Sequence, residues 1–298
     1  MENTVSTGLK TVETVIKANL NESLLSKLGE GDIKEFYRGK FLRSRFGLHL
    51  LAGAGIEFSE DMAHCFAGVE LIHSASLIHD DMIDNAEVRR GLPSWWRRLG
   101  PSSAVIMGDY LFCVALTILS KVKERGMQEV FTGKIKEMCE GEFEQACLYR
   151  GKEIPLEECS RINRQKTGAL FAAIGAVAGN GSEELKPVFE ESGYTFGTAY
   201  QLLDDLLDEF GEEDHIGKTL GTDKRDNKPT PVRLFDGRTD ELYDRLENML
   251  AEPEQMLAAW PAISQSYHAY TESAIRPFLQ RLADNLEARE RLQTRNAV

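Results

Sequence analysis

The amino-acid sequence predicts an all-α chain, a bundle of many helices. Apolar residues recur at helical spacing in widely separated segments, alternating strand patterns are scarce, and glycine or proline punctuates the chain at intervals that suit helix connections. The first helix is carried by Val12, Val15, Ile16 and Leu20, and a break is expected at Gly29–Gly31. A second break at Gly53–Gly55 precedes a longer apolar segment with Leu71, Ile72, Leu77 and Ile78. After the break across Arg90–Ser103, Leu111, Ala115, Leu116 and Leu119 mark another helix. Gly151–Pro155 interrupts it from Gly168–Gly179, a run of small residues that lets helices approach closely, and Gly179–Ser182 ends that run. Tyr200, Leu202, Leu203, Leu206 and Leu207 follow, then a polar stretch, Gly211–Pro231, too long for an ordinary connector. Leu242, Leu246, Met249 and Leu250 carry a late helix, with a break expected near Pro253.

No linker or composition shift divides the 298 residues, so one domain over 1–298 is expected. With 35 basic against 48 acidic residues the net charge is -13, which argues against nucleic acid as a partner. Cys65, Cys113, Cys139, Cys147 and Cys159 form no CxxC pair, and this spacing points to buried thiols in a reducing cytoplasm rather than a disulfide framework. The opening MENTVSTGLK has no basic segment leading into an apolar one, and no stretch reaches the roughly 18 apolar residues of a transmembrane helix.

Two aspartate clusters carry the chemistry. Asp80-Asp81-Met82-Ile83-Asp84 recurs in form as Asp204-Asp205-Leu206-Leu207-Asp208, and both read DDxxD. On a helix the first and last aspartates of each cluster share one face about a turn apart. Their apolar flanks argue against merely solvated faces. Carboxylates ~4 Å apart repel by about 4 kcal/mol at an effective dielectric near 20, so such an arrangement calls for cations. All-oxygen ligands select magnesium or calcium, and magnesium completes its shell with substrate phosphate oxygens, which points to a diphosphate.

Basic and polar groups accompany the clusters. His73 precedes Asp80 by seven residues and Asp84 by eleven, placing all three near one helix face. Arg89 and Arg90 follow Asp84 closely, Gly39-Lys40 and Arg43 set two cations on adjacent turns, Lys166-Thr167 opens the small-residue helix, and the polar stretch supplies Lys218 and Lys228. Each alone is an ordinary surface charge; together, in an acidic protein, they form a local anion site.

In these segments the chain resembles the trans-type isoprenyl diphosphate synthases, or polyprenyl synthetases, over nearly its whole length. The matching stretches are Gly39-Lys40-Phe41-Leu42-Arg43, Glu70 to His73, Ser76 to Asp84, Arg89-Arg90-Gly91 with Pro93, Gly108 to Leu111, Lys166-Thr167, Gln201 to Asp208 and Gly217 to Gly221. The resemblance implies a helical bundle around a deep central cavity, usually as a homodimer. It implies catalytic roles for Asp80, Asp84, Asp204 and Lys166, and three magnesium ions bridged by Asp80, Asp84 and Asp204 with Asp81, Asp205 and Asp208 in support. Arg89, Lys166, Thr167, Gln201, Lys218 and Lys228 match positions that hold an allylic diphosphate. Gly39, Lys40, Arg43, His73 and Arg90 match those that hold isopentenyl diphosphate without metal.

Two departures stand out. Arg38-Gly39-Lys40-Phe41-Leu42-Arg43-Ser44 replaces the usual Gly-Gly-Lys-Arg-x-Arg-Pro, and Asn227-Lys228-Pro229-Thr230-Pro231 replaces Gly-Lys-x-Thr-Leu-Pro around Lys228. A terpene cyclase needs no second, metal-free diphosphate site and does not repeat DDxxD; a non-catalytic partner subunit has lost one or both clusters; a purely structural acidic protein gives no reason for the basic spacings. By the same resemblance, positions four and five before the first cluster shape the cavity for the growing tail. Ser76 and Ala75 stand there, both small, so products of twenty carbons or more are expected rather than fifteen, with Leu71, Ile72 or a residue after Gly108 as the floor.

Overall fold

The protein was analysed as a computed structural model, which describes residues 2–211, 225, 228–235 and 239–296. In chain order the helices are α1 (Glu2–Glu22), α2 (Glu30–Glu35), α3 (Leu42–Ala54), α4 (Glu60–Ile83), α5 (Trp95–Leu99), α6 (Pro101–Leu119), α7 (Arg125–Phe143), α8 (Leu156–Asn163), α9 (Ala169–Ala178), α10 (Leu185–Phe210), α11 (Pro231–Leu234), α12 (Thr239–Met256), α13 (Pro261–Ala274) and α14 (Arg276–Asn296). The fold is all-α; among the described residues the one sheet is the two-stranded hairpin Val88–Arg89 with Leu92–Pro93.

Helical periodicity places the expected faces inward. Val12, Ile16 and Leu20 are buried on α1, Leu111, Ala115 and Leu119 on α6, and Leu242, Leu246 and Leu250 on α12. Leu116 departs from this: it is 44% exposed, because it lies about 100° round α6 from Ala115 and faces away from α4. One hydrophobic cluster runs from Val5 to Leu282. At its centre lies α9, all ten of whose residues are buried among α3, α4, α7 and α10.

The small-residue run works as expected. A Cβ on Gly175 would stand 2.1 Å from the Phe189 carbonyl oxygen, and one on Gly193 would stand 2.5 Å from that of Phe171, so α9 and α10 meet backbone to backbone. This contact aligns α10, which carries the second aspartate cluster.

Several connections differ from the sequence reading. Lys166 and Thr167 do not open α9; they sit in a π-helical turn, Arg164–Gly168, that joins α8 to α9 without a break. A second π turn, Glu144–Leu148, extends α7. Pro253 lies inside α12 rather than ending it, in the final turns, and the chain leaves the helix only after Met256. The break across Arg90–Ser103 contains the turn and second strand of the hairpin, α5 and the start of α6. Arg90 and Gly91, the two turn residues, have φ of 53° and 76°, the paired left-handed geometry of a type I′ hairpin turn. By length and composition α6 is a 19-residue helix apolar enough to cross a bilayer, which corrects the expectation that no segment is. Only 39% of its apolar window is buried in the protein.

Candidate active site

Ser59 opens α4 by accepting the Met62 amide at 3.2 Å, and the helix then runs unbroken to Ile83 with Asp84 as its C-cap. This carries His73, Ser76, Asp80 and Asp84 along one wall of a cavity of about 1040 Å³. The opposite wall comes from α10, with Tyr200, Gln201, Asp204, Asp205 and Asp208. Lys166 and Thr167 enter from the π turn, and Lys228 from the segment before α11. Gly39, Lys40, Arg43, Arg89 and Arg90 line the same cavity, so it gathers most of the residues singled out from sequence. Lys218 lies outside the described residues.

The middle aspartates behave differently from their neighbours, as a 100° step along a helix dictates. Asp81 is turned out of the main cavity and is 2% exposed; Arg89 donates to its Oδ1 from Nε at 2.8 Å and from Nη2 at 2.5 Å. Its expected place among metal ligands is therefore corrected: it orients Arg89 from behind the wall. Arg89 stays firmly charged; against the cost of burial, Asp81, Asp204 and Asp80 favour the cation. Asp205 accepts from Gln201 Nε2 at 2.8 Å and from Asn163 Nδ2 at 3.4 Å, and Thr167 donates its hydroxyl to Gln201 Oε1 at 2.5 Å. Helices α8 and α10 and the π turn are thus tied together at the second cluster.

The cavity's electrostatics divide by region. Burial, then Glu142, pushes the Asp80 carboxyl up to about 7, with Asp84 adding to the effect and Lys166 and Lys228 opposing it. Lys166 is raised: Glu142, Asp80 and Asp84 outweigh the cost of its burial. Lys228 Nζ lies 2.6 Å from Asp84 Oδ2. About two turns before Asp80 on α4, burial first and then Arg43, Arg90 and Arg89 hold His73 well below the ordinary imidazole range, so it is neutral. Arg43 is 6% exposed, stacks 5.0 Å from the Phe171 ring centroid, and its Nε is buried without a hydrogen-bond partner. Lys40 lies 3.9 Å over Phe278 and is lowered by burial and by Arg281 and Arg45.

Local packing fixes this cationic group. Arg98 pairs with Asp32 and with Glu35, Phe36 stacks on Trp95 with centroids 5.2 Å apart, and Arg90 Nη1 donates to the Glu35 carbonyl at 3.0 Å. Gly39 sits against Arg90, whose Nη2 would stand 3.4 Å from an added Cβ.

Among the described residues no three histidine, cysteine, aspartate or glutamate side chains converge closely enough to hold a metal by themselves. The donor set nevertheless fits a hard cation. Asp80, Asp84 and Asp204 offer only oxygen, and the raised Asp80 carboxyl marks a charge that a cation would relieve.

A profile described as polyprenyl synthetase matches residues 33–264. The chain belongs to the polyprenyl synthetase family. Its relatives include a geranylgeranyl diphosphate synthase of Methanosarcina mazei, 34% identical over 197 residues that span 62% of this chain and 61% of that protein. A heptaprenyl diphosphate synthase component 2 of Geobacillus stearothermophilus is 37% identical over 188 residues, 62% of this chain and 58% of the relative. The match thus spans about three fifths of each relative's length. Among solved structures, a geranyltranstransferase of Thermotoga maritima superposes with a TM-score of 0.71 at 25% identity, covering 92% of this chain and 98% of that one.

The chain also places in the cavity residues that the sequence did not mark as part of the site. Glu142 and Gln145 come from the end of α7 and its π turn, and Tyr200 and Arg281 from α10 and α14; Asn163 stands behind the wall on Asp205. Glu142 and Gln145 are three apart on a helical stretch and so share a face, but nothing local says what that face meets. The tail end is reshaped too. Ser76 lines the cavity, whereas Ala75, one step round the helix, is fully buried and outside the lining. Leu71 and Ile72 are likewise fully buried, and the apolar wall is made by Leu77, Phe112, Met138, Phe143 and Leu170.

Proposed function

We propose that this chain is a trans-prenyltransferase that condenses isopentenyl diphosphate with an allylic prenyl diphosphate and lengthens the chain by five-carbon units. One observation carries the reading: a single cavity is lined by Asp80 and Asp84 of the first cluster, by all three aspartates of the second, and by a group of cations, Lys40, Arg43 and Arg90, with His73 among the arginines. Two diphosphates therefore find two chemically different seats, one rich in aspartates that recruit metal and one where Lys40, Arg43 and Arg90 outnumber the buried carboxylate of Glu70.

Asp80, Asp84 and Asp204, supported by Asp205 and Asp208, are the residues we assign to magnesium, three ions in all. Magnesium bound there supplies Lewis acidity toward the allylic diphosphate. The protein's own groups do the rest. Arg89, Lys166 and Lys228 neutralise the departing diphosphate, Thr167 and Gln201 fix the α10 wall beside it, and Lys218 is assigned the same role from sequence alone. Arg43 and Lys40 hold the isopentenyl diphosphate, and the aromatic and aliphatic wall excludes water from the allylic cation, which the isopentenyl double bond attacks before a proton is lost.

We further infer one catalytic domain acting in the cytoplasm as a homodimer. The continuous core from Val5 to Leu282 supports the first point, and the cysteine spacing the second. The exposed α6 face with Val105, Ile106 and Leu116 supports the third. The product we infer is twenty carbons or longer, on the small Ser76 side chain in the wall. Incubating the pure protein with labelled isopentenyl diphosphate and each of the five-, ten-, fifteen- and twenty-carbon allylic diphosphates tests all of this chemistry. Extended products are expected only with divalent metal, and no extension with any starter would sink the proposal.

A further inference from the structure

Glu142 is a cavity carboxylate that neither the metal ligands nor the diphosphate cations account for. Helix α7 and the continuous helix of residues 156–178 cross at Gly141, where a Cβ would stand 2.7 Å from the Lys166 backbone nitrogen and 2.8 Å from the Gln165 Cβ. Glycine there allows the approach. The second of these helices meets Gly141 within its π turn, Arg164–Gly168, and α7 carries its own π turn, Glu144–Leu148, just past the crossing. Such turns re-aim side chains relative to an α-helix and gather at functional sites. Here they bring the Lys166 ammonium 2.6 Å from Glu142 Oε2 and 3.1 Å from Gln145 Oε1. Lys166 is thus held in contact with Glu142 while Asp80 and Asp84 of the first aspartate cluster also act on its charge.

Building on the proposed function, an allylic diphosphate must take Lys166 from a carboxylate that already holds it. Once Lys166 turns to the diphosphate, Glu142 is left beside a new anion without its partner, and the loss is felt as weaker binding. Gln145, neutral and 6% exposed, steers the same ammonium without adding charge. We propose that Glu142 is a positioning residue that holds Lys166 in the empty site and competes with the diphosphate for it, loosening the substrate and speeding release of the diphosphate product. Product release limits turnover in many enzymes, so the competition acts on kcat.

Inorganic pyrophosphate with magnesium is the probe, measured calorimetrically on the full chain. Glu142→Gln keeps the side-chain shape, and it should bind pyrophosphate roughly tenfold more tightly. It should lower KM for the allylic substrate and kcat together while leaving KM for isopentenyl diphosphate unchanged. Glu142→Asp, which keeps the charge, should return these values toward wild type. In a Lys166→Met background the tightening by Glu142→Gln should largely vanish, since the coupling runs through Lys166. Unchanged or weaker pyrophosphate binding in Glu142→Gln overturns the inference alone, as does full tightening without Lys166. Absence of pyrophosphate binding by the wild type overturns the functional reading and this inference with it.

Discussion

Lys228 Nζ lies 2.6 Å from Asp84 Oδ2 across 144 positions of chain. The Arg225 guanidinium donates to the Asp84 carbonyl as well, so the far end of the polar 211–231 stretch is fastened to the last residue of the first aspartate cluster. Lysine at 228 thus arrives at the site despite the altered Asn227-Lys228-Pro229-Thr230-Pro231 sequence around it.

Lys228→Ala should raise KM for the allylic diphosphate by about tenfold, the scale of one charge-assisted hydrogen bond, and leave KM for isopentenyl diphosphate nearly unchanged. Steady-state kinetics with each substrate varied in turn measures this, and equal effects on both would place Lys228 elsewhere in the mechanism.

Asp80→Ala and Asp204→Ala should each lower kcat by roughly a hundredfold or more while the far-ultraviolet circular dichroism stays that of the wild type. Chelator should abolish turnover, and magnesium should restore it. Full activity in either variant would falsify the assignment of these carboxylates to metal.

The raised Asp80 carboxyl makes the metal-free protein sensitive to pH. A group whose folded pKa lies above its unfolded value binds its proton more tightly in the folded state; for Asp80 the interval runs from the ordinary 3.8 to about 7. Across that interval the folded protein loses stability as pH rises. Thermal melts without metal should show Tm falling from pH 4 toward pH 7 with a component that Asp80→Asn removes. Magnesium with pyrophosphate should raise Tm more at pH 8 than at pH 5, because protons compete for the same carboxylate.

Arg43→Gln and His73→Leu should raise KM for isopentenyl diphosphate at least several-fold more than KM for the allylic partner, since the charges acting on His73 are those of Arg43, Arg90 and Arg89 and not the aspartates. The wild-type value for isopentenyl diphosphate should show no titration of His73 between pH 6 and 8, because burial and three arginines keep it neutral there.

Product length should respond to Ser76 and Phe112, which line the cavity, rather than to Ala75. Ser76→Phe should shorten the main product, and Phe112→Ala should lengthen it by one or more five-carbon units, read by chromatography of the dephosphorylated products. Ala75→Phe, by contrast, forces a ring into a fully buried position and should cost about 1–3 kcal/mol of stability. A shorter product from Ala75→Phe in a stable protein would show that the wall rearranges.

Much was legible in the sequence because helices are local objects. The period of Val12, Ile16 and Leu20 or of Leu242, Leu246 and Leu250 follows from 3.6 residues per turn, and DDxxD places its outer aspartates on one face by the same geometry. The order of basic residues around the clusters was equally local, and so was the run of small residues that lets α9 meet α10. The hairpin, the two π turns and the continuation of α12 past Pro253 escaped, since each depends on how neighbouring segments hold the backbone.

The sequence by itself determined the fold class, the two carboxylate clusters and most of the cations, because periodicity, residue chemistry and spacing are properties of short stretches. Only the tertiary structure decided what those side chains face. It turned Asp81 away to hold Arg89, set Glu142 and Gln145 against Lys166, brought Lys228 to Asp84, and put Ser76 in the wall while burying Ala75 behind it. The reason is geometric: a step of about 100° per residue makes adjacent positions meet different partners, and which partners they are depends on helices that cross tens or hundreds of residues away in the chain.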